Sequence, residues 1–256
     1  MSFFNHHQSW NCADIEADTM PPKPVRDSSG YVIFSEGETG AMHAMAHRML
    51  DSGQIIRGHQ LLGEWLANRI GSGSEWIHLQ WHMAILEVSL GHWQFAFARF
   101  RQHILPAVVT SYDALTDAPA FLWRLSLEAG KHRCLPWQPV RMRALSSLQE
   151  TSSPFISAHN ILALAGAGDT ANLDKWIQSK TQQTISRAEA VVIRIARGLR
   201  AYISGNYAQA AEELAGIASQ MPGIGGSRAQ NELFTKLHES AQRKAAGVWP
   251  AIAQAA

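Results

Sequence analysis

The chain has 256 residues, with 22 basic against 21 acidic side chains and only 17% charged residues. A formal charge of +1 gives no electrostatic footprint for nucleic acid or for an anionic membrane. Two cysteines, Cys12 and Cys134, make neither a disulfide framework nor a cysteine-based zinc site.

Charged content below the usual ~25% speaks against disorder and points to extra buried surface, as in a homo-oligomer. The polar oddity is 12 histidines in so weakly charged a chain. Met1 to Trp10 lacks a basic stretch followed by an apolar run, so it does not read as a secretory signal. No apolar stretch approaches the ~20 residues of a membrane span, and the expected location is cytoplasmic. Residues 1–39 carry Met20-Pro-Pro-Lys-Pro24 and one short apolar run, Tyr31 to Phe34. They predict an arm, extended or partly ordered, ahead of a helical-repeat domain over 40–246 and a tail over 247–256.

Glycines keep time through the domain. Gly53, Gly91, Gly130, Gly168 and Gly205 are spaced by 38, 39, 38 and 37 residues. Helical apolar periodicity precedes each, over 41–50, 76–90, 118–129, 156–165 and 188–203, and follows each, over 55–70, 93–105, 140–148, 171–177 and 207–218. Glycine ends a helix in the left-handed conformation at little steric cost, so each one marks the corner of an αα-hairpin. Gly91-His-Trp-Gln-Phe-Ala96 and Gly205-Asn-Tyr-Ala-Gln-Ala210 share G-x-aromatic-x-x-A, the corner of a tetratricopeptide repeat with a longer period. After the breaks at Gly223, Gly225 and Gly226, residues 227–246 read as an amphipathic cap helix. The expected class is all-α, a tetratricopeptide-like superhelix of about five αα-hairpins plus a cap.

His43-Ala-Met-Ala-His47, His78-Leu-Gln-Trp-His82 and His103-Ile-Leu-Pro106 follow one another, with Asp113 and Asp117 after them. With Phe121-Leu-Trp-Arg-Leu125, Ala158-His-Asn160 and Gly225-Gly-Ser-Arg-Ala-Gln230, this order resembles the C-terminal half of the tetratricopeptide repeat protein 38 family. The resemblance runs from about residue 40 to 243. It implies the superhelix and brings no reaction with it.

The histidines carry the chemistry. His43 and His47, and again His78 and His82, stand at i, i+4, so each pair leaves one helix face. The pairs are 35 residues apart, at equivalent places in consecutive repeats. Neighbouring helices ~8–10 Å apart let four imidazoles converge. Asp113 and Asp117 head the next first helix, His159 starts the one after, and Arg124 lies two turns beyond Asp117, placed to pair with it.

Three readings compete. The histidines knit repeats together as hydrogen-bonded core. Or His47, His82, Asp117 and His159 supply acid–base catalysis to a small ligand held by His43, His78, Trp81, Arg124, Asn160 and Arg228. Or two or three of His43, His47, His78 and His82, with Asp117 or Glu87, hold a divalent metal such as Zn²⁺ or Fe²⁺. Ala44 and Leu79 stand where a zincin carries its glutamate, so that protease class is unsupported. The alternative of another class is a scaffold that binds a peptide or partner protein in the groove.

Overall fold

The structure is a computed structural model that describes residues 36–67, 69, 71–129, 135–149, 153–182 and 185–248. The predicted positions Cys12, Tyr31 to Phe34, Gly130, Cys134 and most of the tail lie outside the described residues. Helix α1 (Glu36–Asp51) starts four residues before the boundary at 39/40 drawn from the sequence.

The described residues are all-helical. The order is α1, α2 (Ile55–Ala67), α3 (Ser74–Ser89), α4 (Trp93–Arg99), α5 (Tyr112–Ala129), α6 (Trp137–Ser147), α7 (Pro154–Gly166), α8 (Thr170–Thr181), α9 (Arg187–Ile203), α10 (Tyr207–Leu214), α11 (Ile217–Gln220) and α12 (Arg228–Ala245). No helix among them is long and apolar enough to cross a membrane. Consecutive helices pack as the pairs α1–α2, α3–α4, α5–α6, α7–α8 and α9–α10. The first helix of each pair also packs on the first helix of the next.

The four described corner glycines explain the pairing. Gly53, Gly91, Gly168 and Gly205 have φ of 69°, 76°, 70° and 80°. Each donates its N–H three residues back while the following residue donates five back: Gly91 to Val88 and His92 to Glu87, Gly205 to Tyr202 and Asn206 to Ala201. This Schellman pattern satisfies carbonyls the helix end would otherwise orphan, and it turns the chain sharply.

Two predicted helices are interrupted. Helix α4 passes at Phe100 into a π turn and at Leu105 into a 3-10 turn, because Pro106 has no N–H for the α-ladder. Left-handed Gly216, with φ 70°, separates α10 from α11 inside the predicted 207–218 segment. Helix α5 starts at Tyr112, six residues before its apolar segment and one before Asp113, which was expected to head it, and runs through Pro119.

The last helix departs most from expectation. A terminal cap would cover only the last pair, yet α12 packs on α10, α5 and α1. Arg124 of α5 donates to the carbonyls of Ala229 and Gln230. Further along, Phe234 meets the His159 ring of α7, and Ser240 bonds Tyr202 of α9 at 2.8 Å. Helix α12 is therefore a crossbar over α5, α7 and α9. Its Ser227 and Gln230 close a capping box, and Leu233, Phe234, Leu237 and Ala241 form its buried stripe.

A Cβ at position 91 would meet open space, so the cost of substitution there is purely conformational. Gly91→Val is expected to destabilise the protein by more than ~1 kcal/mol. A lowered urea midpoint with an unchanged m-value checks it.

Candidate functional site

Helices α1 and α3 lie side by side and place His43, His47, His78 and His82 on their shared faces. One ligand nitrogen from each lies within 4.8 Å of the others. The His43 and His47 Nε2 atoms are 2.9 Å apart, and the His47 and His82 ring centroids 4.4 Å apart. Two nitrogens on one four-coordinate ion stand about 3.3 Å apart, given bonds of ~2.0–2.1 Å. Side-chain adjustments of about an ångström would therefore seat all four on one ion.

Each member has a distinct environment. His82 is fully buried and neither ring nitrogen has a hydrogen-bond partner. Such a group costs free energy unless something occupies it. His78 donates from Nδ1 to Asp117 Oδ2 at 2.6 Å, which leaves Nε2 as its nitrogen for the cluster. His43 and His47 are half-buried, so the site opens on the α1 side.

The electrostatics follow from this layout. Burial, with His78 and His47 beside it, pushes His43 down to about 4. Burial and His78 also lower His47, and they hold His82 well below the ordinary imidazole value. Burial works to lower His78 too, but the Asp117 carboxylate overrides it and leaves His78 raised. Asp117 itself is raised, because its burial outweighs the attraction of His78. Three neutral imidazoles beside a fourth oriented by a carboxylate make the protonation state and second shell that metal ligands use.

A layer of aromatic and polar groups backs the cluster. Trp81, fully buried, stacks on His78 with centroids 5.2 Å apart and planes at 10°. The Arg124 guanidinium lies 5.7 Å from the Trp81 ring centroid. The expected Asp117–Arg124 ion pair does not form. Arg124 instead donates to the carbonyls of Ala120, Ala229 and Gln230, and burial lowers it to about 10. The Gln230 side chain faces Asp117, although Asp117 Oδ1 has no donor at hydrogen-bonding geometry.

Other predicted site residues stand apart. His159 donates from Nδ1 to the Phe155 carbonyl at 2.8 Å and packs against Phe155 and Phe234, outside the four-histidine group. Asn160 donates to Ser147 at 3.0 Å, tying α7 to α6. Arg228 is exposed at the start of α12. Glu87 is not a ligand candidate in the fold. It follows His78 by nine residues, half a turn out of phase at about 100° per residue, and is clamped by Arg99 at 2.8–3.2 Å. A cavity of about 760 Å³ is lined by Trp123, Trp137, Tyr202, Tyr207 and Lys244, and by none of the four histidines. The aromatic at the Gly205 corner was a sequence signal for Tyr207, but nothing in the sequence joined it to a cavity.

The neutral buried histidines set a pH dependence. The folded values of His43, His103 and His159 are about 4, against an ordinary 6.5. Between those pH values the unfolded chain binds protons that the folded protein refuses, so stability falls as pH falls through that window. For fully buried His159 alone the loss is roughly 3 kcal/mol. His78 and Asp117, both raised, work in the opposite direction, adding stability at low pH that is lost as pH rises through their raised values. The lowered group is the larger, so metal-free protein is expected to show a lower urea midpoint at pH 5 than at pH 7.5; an equal or higher one would contradict the assignment.

No protein-family model matches the chain, and no solved structure matches it significantly.

Proposed function

We propose that this is a tetratricopeptide-like helical-repeat protein that holds a divalent transition metal on His43, His47, His78 and His82. Asp117 orients His78, and the ion acts on a small ligand that reaches it from the α1 side. The observation that carries this reading is the convergence of four ring nitrogens within 4.8 Å around a fully buried His82 with no other partner. Hydrogen-bonded core histidines would each have a partner; His82 has none. The paired glycine corners, the stacked first helices and the resemblance to the tetratricopeptide repeat protein 38 family support the superhelix.

The donor set constrains the chemistry. All-imidazole ligation suits Zn²⁺ or Fe²⁺ over Mg²⁺ or Ca²⁺, which take oxygen. Four neutral ligands leave the ion's full positive charge in place, offset only by Asp117 behind His78. Held by all four imidazoles, the ion would need a fifth position on the open α1 side to take a ligand oxygen, which it would then polarise in metal-assisted chemistry.

The alternative, a scaffold that grips a peptide along the first helices, has less support. Helix α12 of the same chain crosses α5, α7 and α9, where such a peptide would lie.

Elemental analysis of untagged protein, reconstituted separately with Zn²⁺ and anaerobic Fe²⁺, tests the reading. We expect near-stoichiometric metal in the wild type and loss of it in His47→Ala, whose half-buried position spares the fold. Asp117→Asn is expected to weaken binding by about 10–100-fold, the usual effect of losing a second-shell carboxylate. Wild-type protein with native circular dichroism, no retained metal and no rise in Tm with either ion would overturn it.

A further inference from the structure

We propose that Gln230, in the first turn of α12, is a positioning residue for the four-histidine site: its side-chain amide holds the Asp117 carboxylate, which in turn holds His78. This rests on the metal reading above and adds to it a group from the far end of the chain.

The carboxylate of Asp117 is only half secured by His78. Its side chain is fully buried. Oδ2 accepts from His78 Nδ1 at 2.6 Å, while Oδ1 has no donor at hydrogen-bonding geometry. An ionised carboxylate is acceptor-only, so a buried oxygen of this kind is costly until a donor comes to it. A carboxylate held by one oxygen can also turn about its own axis, and the His78 ring would follow.

Helix α12 supplies the donor. The Gln230 side chain lies against the Asp117 carboxyl. Its capping box decides which end of the amide does so. Gln230 Oε1 accepts from the Ser227 backbone N–H at 2.9 Å, so the Nε2 end, which carries only donors, is the end left for Asp117. A donor-only nitrogen against an acceptor-only carboxylate is a complementary pair.

Gln230 is well fixed for so flexible a residue type. Its backbone N–H donates to Ser227 Oγ at 3.2 Å, and its carbonyl accepts from Arg124 Nη2 at 3.3 Å. Arg124 also donates to the carbonyls of Ala120 and Ala229. That guanidinium thereby clamps the first turn of α12 onto α5, the helix that carries Asp117 two turns earlier. A glutamine held at its backbone and at its amide oxygen has little rotamer entropy left to lose when the nitrogen closes on the carboxylate. Carboxylates behind metal-ligating histidines are themselves hydrogen-bonded, which fixes the ring direction and the basicity of the ligand. Gln230 gives Asp117 that support.

A capping-box role alone would account for Gln230 without any part in the site. Ser227 separates the two roles, because Ser227→Ala opens the same box from its other side and leaves the Gln230 amide in place.

Competition between the untagged chain and a chromophoric chelator for Zn²⁺ tests this. Gln230→Met is expected to weaken Zn²⁺ binding at least about fivefold, the low end of couplings between linked sites, and Gln230→Ala likewise. Ser227→Ala is expected to retain Zn²⁺ within about twofold while lowering the urea midpoint. In an Asp117→Asn background Gln230→Met should cost less than about twofold, because asparagine, accepting from His78 through its oxygen, turns its own donors to Gln230. In metal-free protein the His78 Nδ1–H proton resonance should shift in Gln230→Met and stay in place in Ser227→Ala. A wild type that takes no Zn²⁺ overturns the metal reading and this proposal together. A wild type that takes it, with Gln230→Met and Gln230→Ala of native circular dichroism binding as tightly, overturns this proposal alone. So does an equal loss in Ser227→Ala, an undiminished effect of Gln230→Met in Asp117→Asn, or an unmoved His78 proton.

Discussion

The structure depends on lateral contact between consecutive first helices. Three side-chain bonds join residues 39 positions apart: Ser74 to Asp113, His78 to Asp117, and Trp123 to the Leu162 carbonyl. Each links neighbouring first helices at nearly the spacing of the corner glycines. Left-handed glycines return the chain to register after every pair. A slip of one residue along α3 would rotate its face by about 100°. His78 would then leave Asp117, and the cluster with α1 would be lost.

Burying so many polar groups opposes stability unless each is satisfied or used. Part of the polar layer is bonded internally: Arg99 donates to both Glu87 and Gln80, Asn160 to Ser147, and Arg124 to the carbonyls of α12. Those groups fasten one helix to another and explain themselves. His82 does not, because its ring is fully buried and bonded to nothing. Among the histidines of this layer, His82 alone has both ring nitrogens buried without a partner.

The sequence made some of this legible and hid the rest for physical reasons. Gly53, Gly91, Gly168 and Gly205 were readable because a left-handed helix end selects one residue type, and a fixed spacing exposes it. The i, i+4 histidines were readable because helical periodicity assigns a face without knowledge of the partner. Arg124 was placed on the correct face but given the wrong partner, since its acceptors belong to a helix more than a hundred residues away. Amphipathicity showed that α12 has a covered side, but not that α5 and α1 help cover it. Pro106 and Gly216 broke two helices that apolar periodicity alone ran together. The aromatic cavity was the least legible, because it arises where the ends of separate helices meet and no spacing within one segment describes it.

Helix α12 runs past both the histidine cluster and the aromatic rings at the far ends of α5, α7 and α9. Its N-terminal turn accepts from Arg124, behind Trp81 and the histidines, so it shields the cluster from that direction. What stays open is the α1 side, where His43 and His47 are half-buried. Its last turn instead brings Lys244 over Tyr202 and Tyr207, at the far ends of α5, α7 and α9. One helix therefore backs the histidine cluster at its start and lies over the Tyr202 and Tyr207 rings at its end. The two face different surroundings and draw on different charges, a neutral imidazole set in one and an ammonium over aromatic rings in the other.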